Sequence, residues 1–255
     1  MISPRHVLIT GASSGIGAAL AEVYAAPGIR LSLHGRNEDR LRRVAEAAQE
    51  SGAFVHAKTG DVVWREGMQG WLTLCDRQQP LDLVIANAGI SAGTGRQGES
   101  DDQARAIFEV NVAGLLNTVQ PAIALMKERK RGQIAIMSSL AGFVGLPGAP
   151  AYGASKATVR VYGEALRGEL APHGIKVNVV CPGFIKTPMT NVNRFKMPFL
   201  MSAERAARII KRGLGCNRAR IAFPWQMYWL VRLAAALPQD WIADTVVKLP
   251  KKGNW

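Results

Sequence analysis

A strand-length apolar run followed by a helix-period segment recurs six times in the first 212 residues, and that repetition leaves few architectures open. The strand-like runs fall at 7–10, 30–34, 53–57, 81–86, 134–137 and 175–180. Between them, apolar residues return at helical spacing over 15–26, 38–49, 64–77, 101–131 and 152–170, and again at 203–212. Ile16, Ala19, Leu20 and Val23 share one face of the first of these, and Leu41, Val44, Ala45 and Ala48 one face of the second. Such alternation predicts a parallel sheet covered by helices on both faces, the doubly wound (Rossmann) α/β architecture. A seventh strand is expected at 220–223, giving about seven in all. Pro121 lacks an N–H, so the long helical segment should bend there. No Gly/Ser- or Pro-rich spacer divides the chain. A single domain over 1–255 is therefore expected, with 184–255 forming a lid and a C-terminal region of that same domain.

The first strand runs directly into Thr10-Gly11-Ala12-Ser13-Ser14-Gly15-Ile16-Gly17, and a helix follows. Gly11 permits the sharp turn, Gly15 lets backbone approach a pyrophosphate, and Gly17 lets the helix pack close to the sheet. The helix start then offers free N–H groups and a positive dipole end to phosphates.

Further motifs sit at the ends of later strands. Asn87-Ala88-Gly89 follows the fourth run, Ser139 the fifth, and Pro182-Gly183 with Thr187 the sixth; Asn111 lies within the long helical segment. Tyr152 and Lys156 stand four apart at the start of a helix, so their side chains share a face. A tyrosine with a pKa near 10 is a poor base at neutral pH, and a neighbouring ammonium favours its phenolate. Such a pair can give a proton to a carbonyl oxygen or take one from an alcohol. Ser139 can hold that oxygen as charge develops on it. Tyr162 has no lysine four residues on, and Ser155 lies on the helix itself, so both read as decoys.

The glycine spacing TGxxxGxG differs from GxGxxG. Together with Asn111, Ser139, Tyr152-x-x-x-Lys156 and Pro182-Gly183, it resembles the short-chain dehydrogenase/reductase family over roughly residues 5–190. The resemblance implies that Asn111, Ser139, Tyr152 and Lys156 are catalytic, with Asn111 positioning a water that relays protons to Lys156. It also implies that Lys156 touches the nicotinamide ribose and Thr187 the carboxamide, that Asp61 and Val62 flank the adenine, and that 184–200 covers the substrate. Gly11, Ser13, Ser14, Gly15, Ile16, Gly17, Asn87, Ala88, Gly89, Tyr152, Pro182 and Gly183 complete the expected cofactor site. Asp61 also reads as a simple turn or cap residue.

Cofactor choice is read where the second strand ends, at His34-Gly35-Arg36-Asn37. A carboxylate there would bind the adenosine ribose hydroxyls. Gly35 stands in its place, and Arg36 offers a planar guanidinium suited to a phosphate. Arg40, Arg42 and Arg43 add positive field, so NADP(H) is expected over NAD(H). Alternatively, Arg36 is an exposed salt-bridging arginine. The function that follows is an NADP(H)-dependent oxidoreductase interconverting a carbonyl and an alcohol. A non-catalytic dinucleotide sensor, or a scaffold docked on a membrane or partner, is the alternative.

Charge is unevenly placed. The chain carries net +13, and from Lys186 onward there are 13 basic and 3 acidic side chains. The same region holds Trp225, Tyr228, Trp229, Trp241 and Trp255, while Phe184, Ile185, Met189, Phe195, Met197, Phe199 and Leu200 crowd the lid segment. The lid suggests a lipophilic substrate, or ordinary packing. The basic aromatic end suggests a subunit interface in a homodimer or homotetramer, or weak contact with an anionic membrane; a solubilising surface is the plainer reading, and no nucleic-acid motif occurs. The most apolar late stretch, 221–237, contains Pro224 and Arg232 and falls short of the roughly 20 residues a span needs. Cys75, Cys181 and Cys216 are too scattered for a disulfide framework or a cysteine metal site. With no leader-like N-terminal pattern, a cytoplasmic protein is expected, with a place at the inner membrane face left open.

Overall fold

Continuous β-branched and leucine-rich runs bury both faces of a strand, which suits the middle of a parallel sheet. β1 (His6–Thr10) is buried along its whole length. In the computed structural model, which describes residues 4–91, 98–145, 147–191, 193 and 197–238, it pairs in parallel with β2 (Arg30–Gly35) and β4 (Leu83–Ala86). β3 (Phe54–Thr59), β5 (Gly132–Met137), β6 (Ile175–Pro182) and β9 (Arg220–Phe223) complete a seven-stranded parallel sheet in the order β3-β2-β1-β4-β5-β6-β9. A separate short ladder, too brief to leave a periodic signal in the sequence, joins β7 (Ile185–Lys186) to β8 (Met201–Ser202) beside α7 (Pro188–Asn191).

Helices cover both faces. Val7 and Ile9 point into one core with α1 (Gly15–Tyr24), α2 (Glu38–Glu50) and α8 (Ala203–Gly215). Leu8 points into the other with α3 (Arg65–Gln78), α5 (Gly114–Glu128) and α6 (Pro150–Leu170). α9 (Trp225–Ala236) follows β9 and rests Met227, Tyr228 and Val231 on a small cluster around Leu140, Val179 and Cys181. Strand order reverses direction at β1 and β4, and their carboxyl ends open the crevice where ligands bind in such sheets.

Pro121 lies inside α5, whereas the regular helix is interrupted earlier in the chain. There α4 (Asp101–Phe108) passes into a wide π turn at Glu109–Ala113. The cause is a side chain: Asn111 is buried inside that turn and tied to the loop after β4. π turns of this kind concentrate at functional sites.

Candidate active site

The glycine turn after β1 is built around two left-handed residues, Gly11 at φ +66° and Gly15 at φ +57°. Gly17 is required by contact rather than torsion: a Cβ there would lie 2.1 Å from the Gly11 carbonyl oxygen. Asn87 staples the turn from the far side, its amide donating to the carbonyls of Thr10 (2.9 Å) and Gly11 (3.2 Å). Thr10 Oγ1 answers by accepting from the N–H groups of Asn87 and Ala88. α1 then begins without a side-chain cap and without an acidic residue in its first turn. Its free N–H groups therefore face the crevice.

The crevice is a cleft of about 590 Å³. It gathers Gly11, Ser13, Ser14, Gly15, Ile16, Arg36, Asp61, Val62, Asn87, Ala88, Gly89, Ser139, Tyr152, Lys156, Pro182, Gly183 and Thr187 along one wall or another. Gly17 and Asn111 do not line it. Gly17 sits beneath the turn, and Asn111 is a brace behind the wall: its Oδ1 accepts from Ile90 N (2.8 Å), and its Nδ2 donates to Ile90 O and to Ser155 Oγ (3.0 Å each). Ser155, a decoy by its place on the helix, passes the restraint on by donating to the Tyr152 carbonyl at 2.8 Å.

The polar end of the cleft is desolvated. Lys156 donates to the Met137 carbonyl at 3.1 Å, and burial pushes its ammonium down to about 8. A Cβ on Gly89 would fall 3.0 Å from Asn111 Oδ1 and 3.2 Å from Lys156 Nζ, so both polar groups meet over a bare glycine. Tyr152 shares a hydrogen bond with Ser139. Burial raises the Tyr152 phenol above its ordinary value, while the Ser139 hydrogen bond pulls the other way. Lys156 Nζ stands 5.9 Å from the ring centroid, and desolvation outweighs the other influences on the phenol.

Ser139 also donates to Pro182 O and accepts from Ala141 N, and its neighbour Ser138 donates to the Lys156 carbonyl at 2.7 Å. The loop after β5 is therefore bolted to the backbone of α6. The start of α6 is held by Glu99, whose carboxylate accepts from the N–H of Ala151 (2.6 Å) and Tyr152 (3.5 Å). No sequence motif points to Glu99, because it acts on a residue 52 positions away. Glu99→Ala should cost about 1 kcal/mol of stability, the scale of a helix cap. It should also lower kcat more than it raises KM. Thermal unfolding and steady-state kinetics check both, and an unchanged kcat would reduce Glu99 to an ordinary cap.

At the other end of the cleft, His34 is buried, and burial together with Lys58 pushes its imidazole down to about 4. Its Nδ1 has no partner among the described residues, and the ring lines the cleft. The bare glycine cradle, the uncapped helix and this orphaned nitrogen all fit a dinucleotide lying from α1 to α6.

A model of the short chain dehydrogenase family matches residues 5–197. An uncharacterized oxidoreductase of Myxococcus xanthus is 38% identical over 238 residues, covering 93% of this chain and 94% of that protein. The 11-beta-hydroxysteroid dehydrogenase-like 2 of Arabidopsis thaliana is 32% identical, covering 96% and 82%. Among solved structures, a short-chain dehydrogenase from Sphingobium yanoikuyae in complex with NADPH superposes with a TM-score of 0.79 at 27% identity, covering 92% of this chain and 96% of that one. With the family's motifs gathered on one cleft, this chain belongs to the short-chain dehydrogenase/reductase family and is an oxidoreductase.

Proposed function

We propose that the protein is an NADP(H)-dependent oxidoreductase that interconverts a carbonyl and an alcohol on a lipophilic small molecule. The observation that carries this reading is the hydrogen-bonded Ser139–Tyr152 pair, with Lys156 buried behind it, at one end of a glycine-cradled cleft. A bound nicotinamide dinucleotide supplies the hydride. Gly11, Gly15 and the α1 N-terminus hold its pyrophosphate, Asp61 and Val62 border the adenine side, and Gly183 and Thr187 border the nicotinamide side. Ser139 holds the substrate oxygen, and Tyr152 gives that oxygen its phenolic proton during reduction. Lys156 lies close enough to stabilise the phenolate that results. Asn111, through Ser155 and Ile90, keeps that end of the cleft in register and flanks the path by which a proton returns to Lys156.

Two features support NADP(H). A side chain at position 35 would meet Ser13 Cβ and Oγ at 3.1 Å, so a ribose-binding carboxylate has little room there. Arg36 and Arg40 line the mouth, where Arg36 faces Asp61 at 3.6 Å with both side chains largely exposed. So loose a pair contributes little to folding and leaves the guanidinium available to a 2′-phosphate. Arg36→Ala should lower the NADPH/NADH ratio of kcat/KM by about tenfold or more, the loss of one charge-assisted contact. An unchanged ratio would remove Arg36 from cofactor choice.

A lipophilic substrate is supported by Ile90, Val110, Met137, Ile185 and Met189, which line the cleft, and by Phe199 and Leu200, exposed on the covering segment. Phe195 lies outside the described residues. Phe108 and Val161, exposed on α4 and α6, offer a surface for a homodimer or homotetramer. The reading is tested by NADPH oxidation across a panel of aldehydes and ketones of rising chain length. Tight NADPH binding with no carbonyl turned over would favour a dinucleotide sensor instead.

A further inference from the structure

α9 is apolar nearly all round, and only its inner side has a partner. Met227, Tyr228 and Val231 face the domain, where the Tyr228 ring meets Phe143 edge-on at 5.8 Å. Arg220 donates to the Tyr228 hydroxyl and also pairs with Glu164 of α6. The helix is thus fixed in rotation by a polar anchor. Its outward arc carries Trp225, Trp229, Leu230 and Leu233, exposed by 68, 62, 61 and 64%. At about 100° per residue these side chains span less than half the circumference, with Arg232 on one border of the arc.

Charge decides what covers this arc. Residues 205–239 contain seven arginines and lysines and no aspartate or glutamate. Arg220 is held by Glu164, whereas Arg205, Arg208, Arg212, Arg218 and Arg232 are exposed and form no ion pair among the described residues. A second copy apposed through α9 would bring two Arg232 side chains together with no acid on the helix to pair them, and like-charge contact disfavours it. Tryptophan beside arginine on an exposed apolar arc suits the headgroup layer of an anionic bilayer. Among the described residues no helix is long and apolar enough to cross a membrane, so contact is with the surface.

We propose that the outer arc of α9 seats the protein on anionic lipid. Trp225, Trp229, Leu230 and Leu233 enter the headgroup region, and Arg232 at the border of the arc meets the lipid phosphates. The seat adjoins the cleft: a Cβ on Gly183, a lining residue, would touch Met227 Sδ at 2.9 Å and Pro224 Cδ at 3.0 Å. Entry of a lipophilic substrate directly from the bilayer rests on the functional reading above; the seat itself does not. Trp241 and Trp255 lie outside the described residues and carry no part of this inference.

The test is co-sedimentation of the full chain with phosphatidylcholine vesicles, with and without phosphatidylglycerol, in low and high salt. The full chain should bind phosphatidylglycerol vesicles in low salt and weaken as salt shortens the reach of charge from about 10 Å to about 3 Å. The double variant Trp229→Glu, Leu233→Glu should bind at least about tenfold less, since two exposed apolar anchors become charged. Arg232→Glu should weaken binding without altering solubility. Both variants should keep wild-type turnover of a water-soluble ketone with NADPH, which shows that they are folded. Failure of the wild type to turn over any ketone would sink the oxidoreductase reading and leave the vesicle result standing. Absence of binding to anionic vesicles in low salt overturns the seat, and so does binding indifferent to the double variant. A double variant that lowers the mass in sedimentation velocity makes α9 a subunit interface and also overturns it.

Discussion

Tyr152→Phe should leave NADPH binding in place and lower turnover by about 10²-fold or more, the scale of general acid catalysis. The substitution removes one hydroxyl from a site whose backbone is held independently, by Glu99 at the start of α6 and by Ser155 at the Tyr152 carbonyl. The ring therefore stays where it is, and the loss reports the proton alone. Fluorescence titration with NADPH and single-turnover kinetics separate the two effects. A Tyr152→Phe enzyme with near wild-type kcat would mean that another group supplies the proton, and the catalytic assignment would fall with it.

Lys156→Met should act in opposite directions on stability and on rate. Burial lowers the folded-state value of Lys156 to about 8, against an ordinary 10.5. The unfolded chain therefore holds more protons between those values, and stability rises with pH across that window. Below about pH 8 the buried ammonium carries its whole penalty. Removing it should stabilise the cofactor-free protein at pH 7 by about 1–3 kcal/mol, since one pKa unit corresponds to about 1.36 kcal/mol and the site relaxes in part. The gain over wild type should shrink from pH 8 upward and be gone near 10.5. Turnover should fall by about 10²-fold or more, and NADPH affinity should weaken. Denaturant unfolding of both proteins at several pH values measures the difference directly. A variant less stable than wild type at pH 7 would show that the Met137 contact outweighs desolvation. A charged group kept in a dry site against its own stability is what a functional site demands of a fold.

The sheet is legible in the sequence because its strands are apolar throughout and bounded by glycine and proline. The strand near Phe54 is displaced from its expected place by only a residue or two. It is an edge strand with a weak apolar signal, and Phe54, Ala57 and Thr59 are exposed. Most motif residues are legible because they close strands at the same edge, where register delivers them to one cleft, and Tyr152 and Lys156 because their spacing puts them on one face of α6. What fails are inferences about single side chains. Pro121 is the familiar helix breaker, yet the α-helical pattern is interrupted earlier, where Asn111 is tied to Ile90. That tie depends on contact across 21 residues, which periodicity does not encode. Ser155 looks inert in sequence because its partners lie on other turns and elements, and Glu99 because the helix it caps begins half a hundred residues later. The net shift of the Tyr152 phenol is hidden for the same reason. Spacing shows that a lysine is near, but only burial shows that water is not.

The π turn at Glu109–Ala113 has a consequence for how this chain tolerates length changes. One additional residue held in a helix rotates everything before it by about 100° relative to everything after it. α4, and with it the segment that delivers Glu99 to the start of α6, is thereby set in a rotational phase that a regular helix would not give. Excising a single residue there would yield a smoother helix with better backbone geometry, and would swing α4 away from α6. The irregularity acts as a gear tooth between two halves of the domain, and a sequence optimised for helix regularity would lose it.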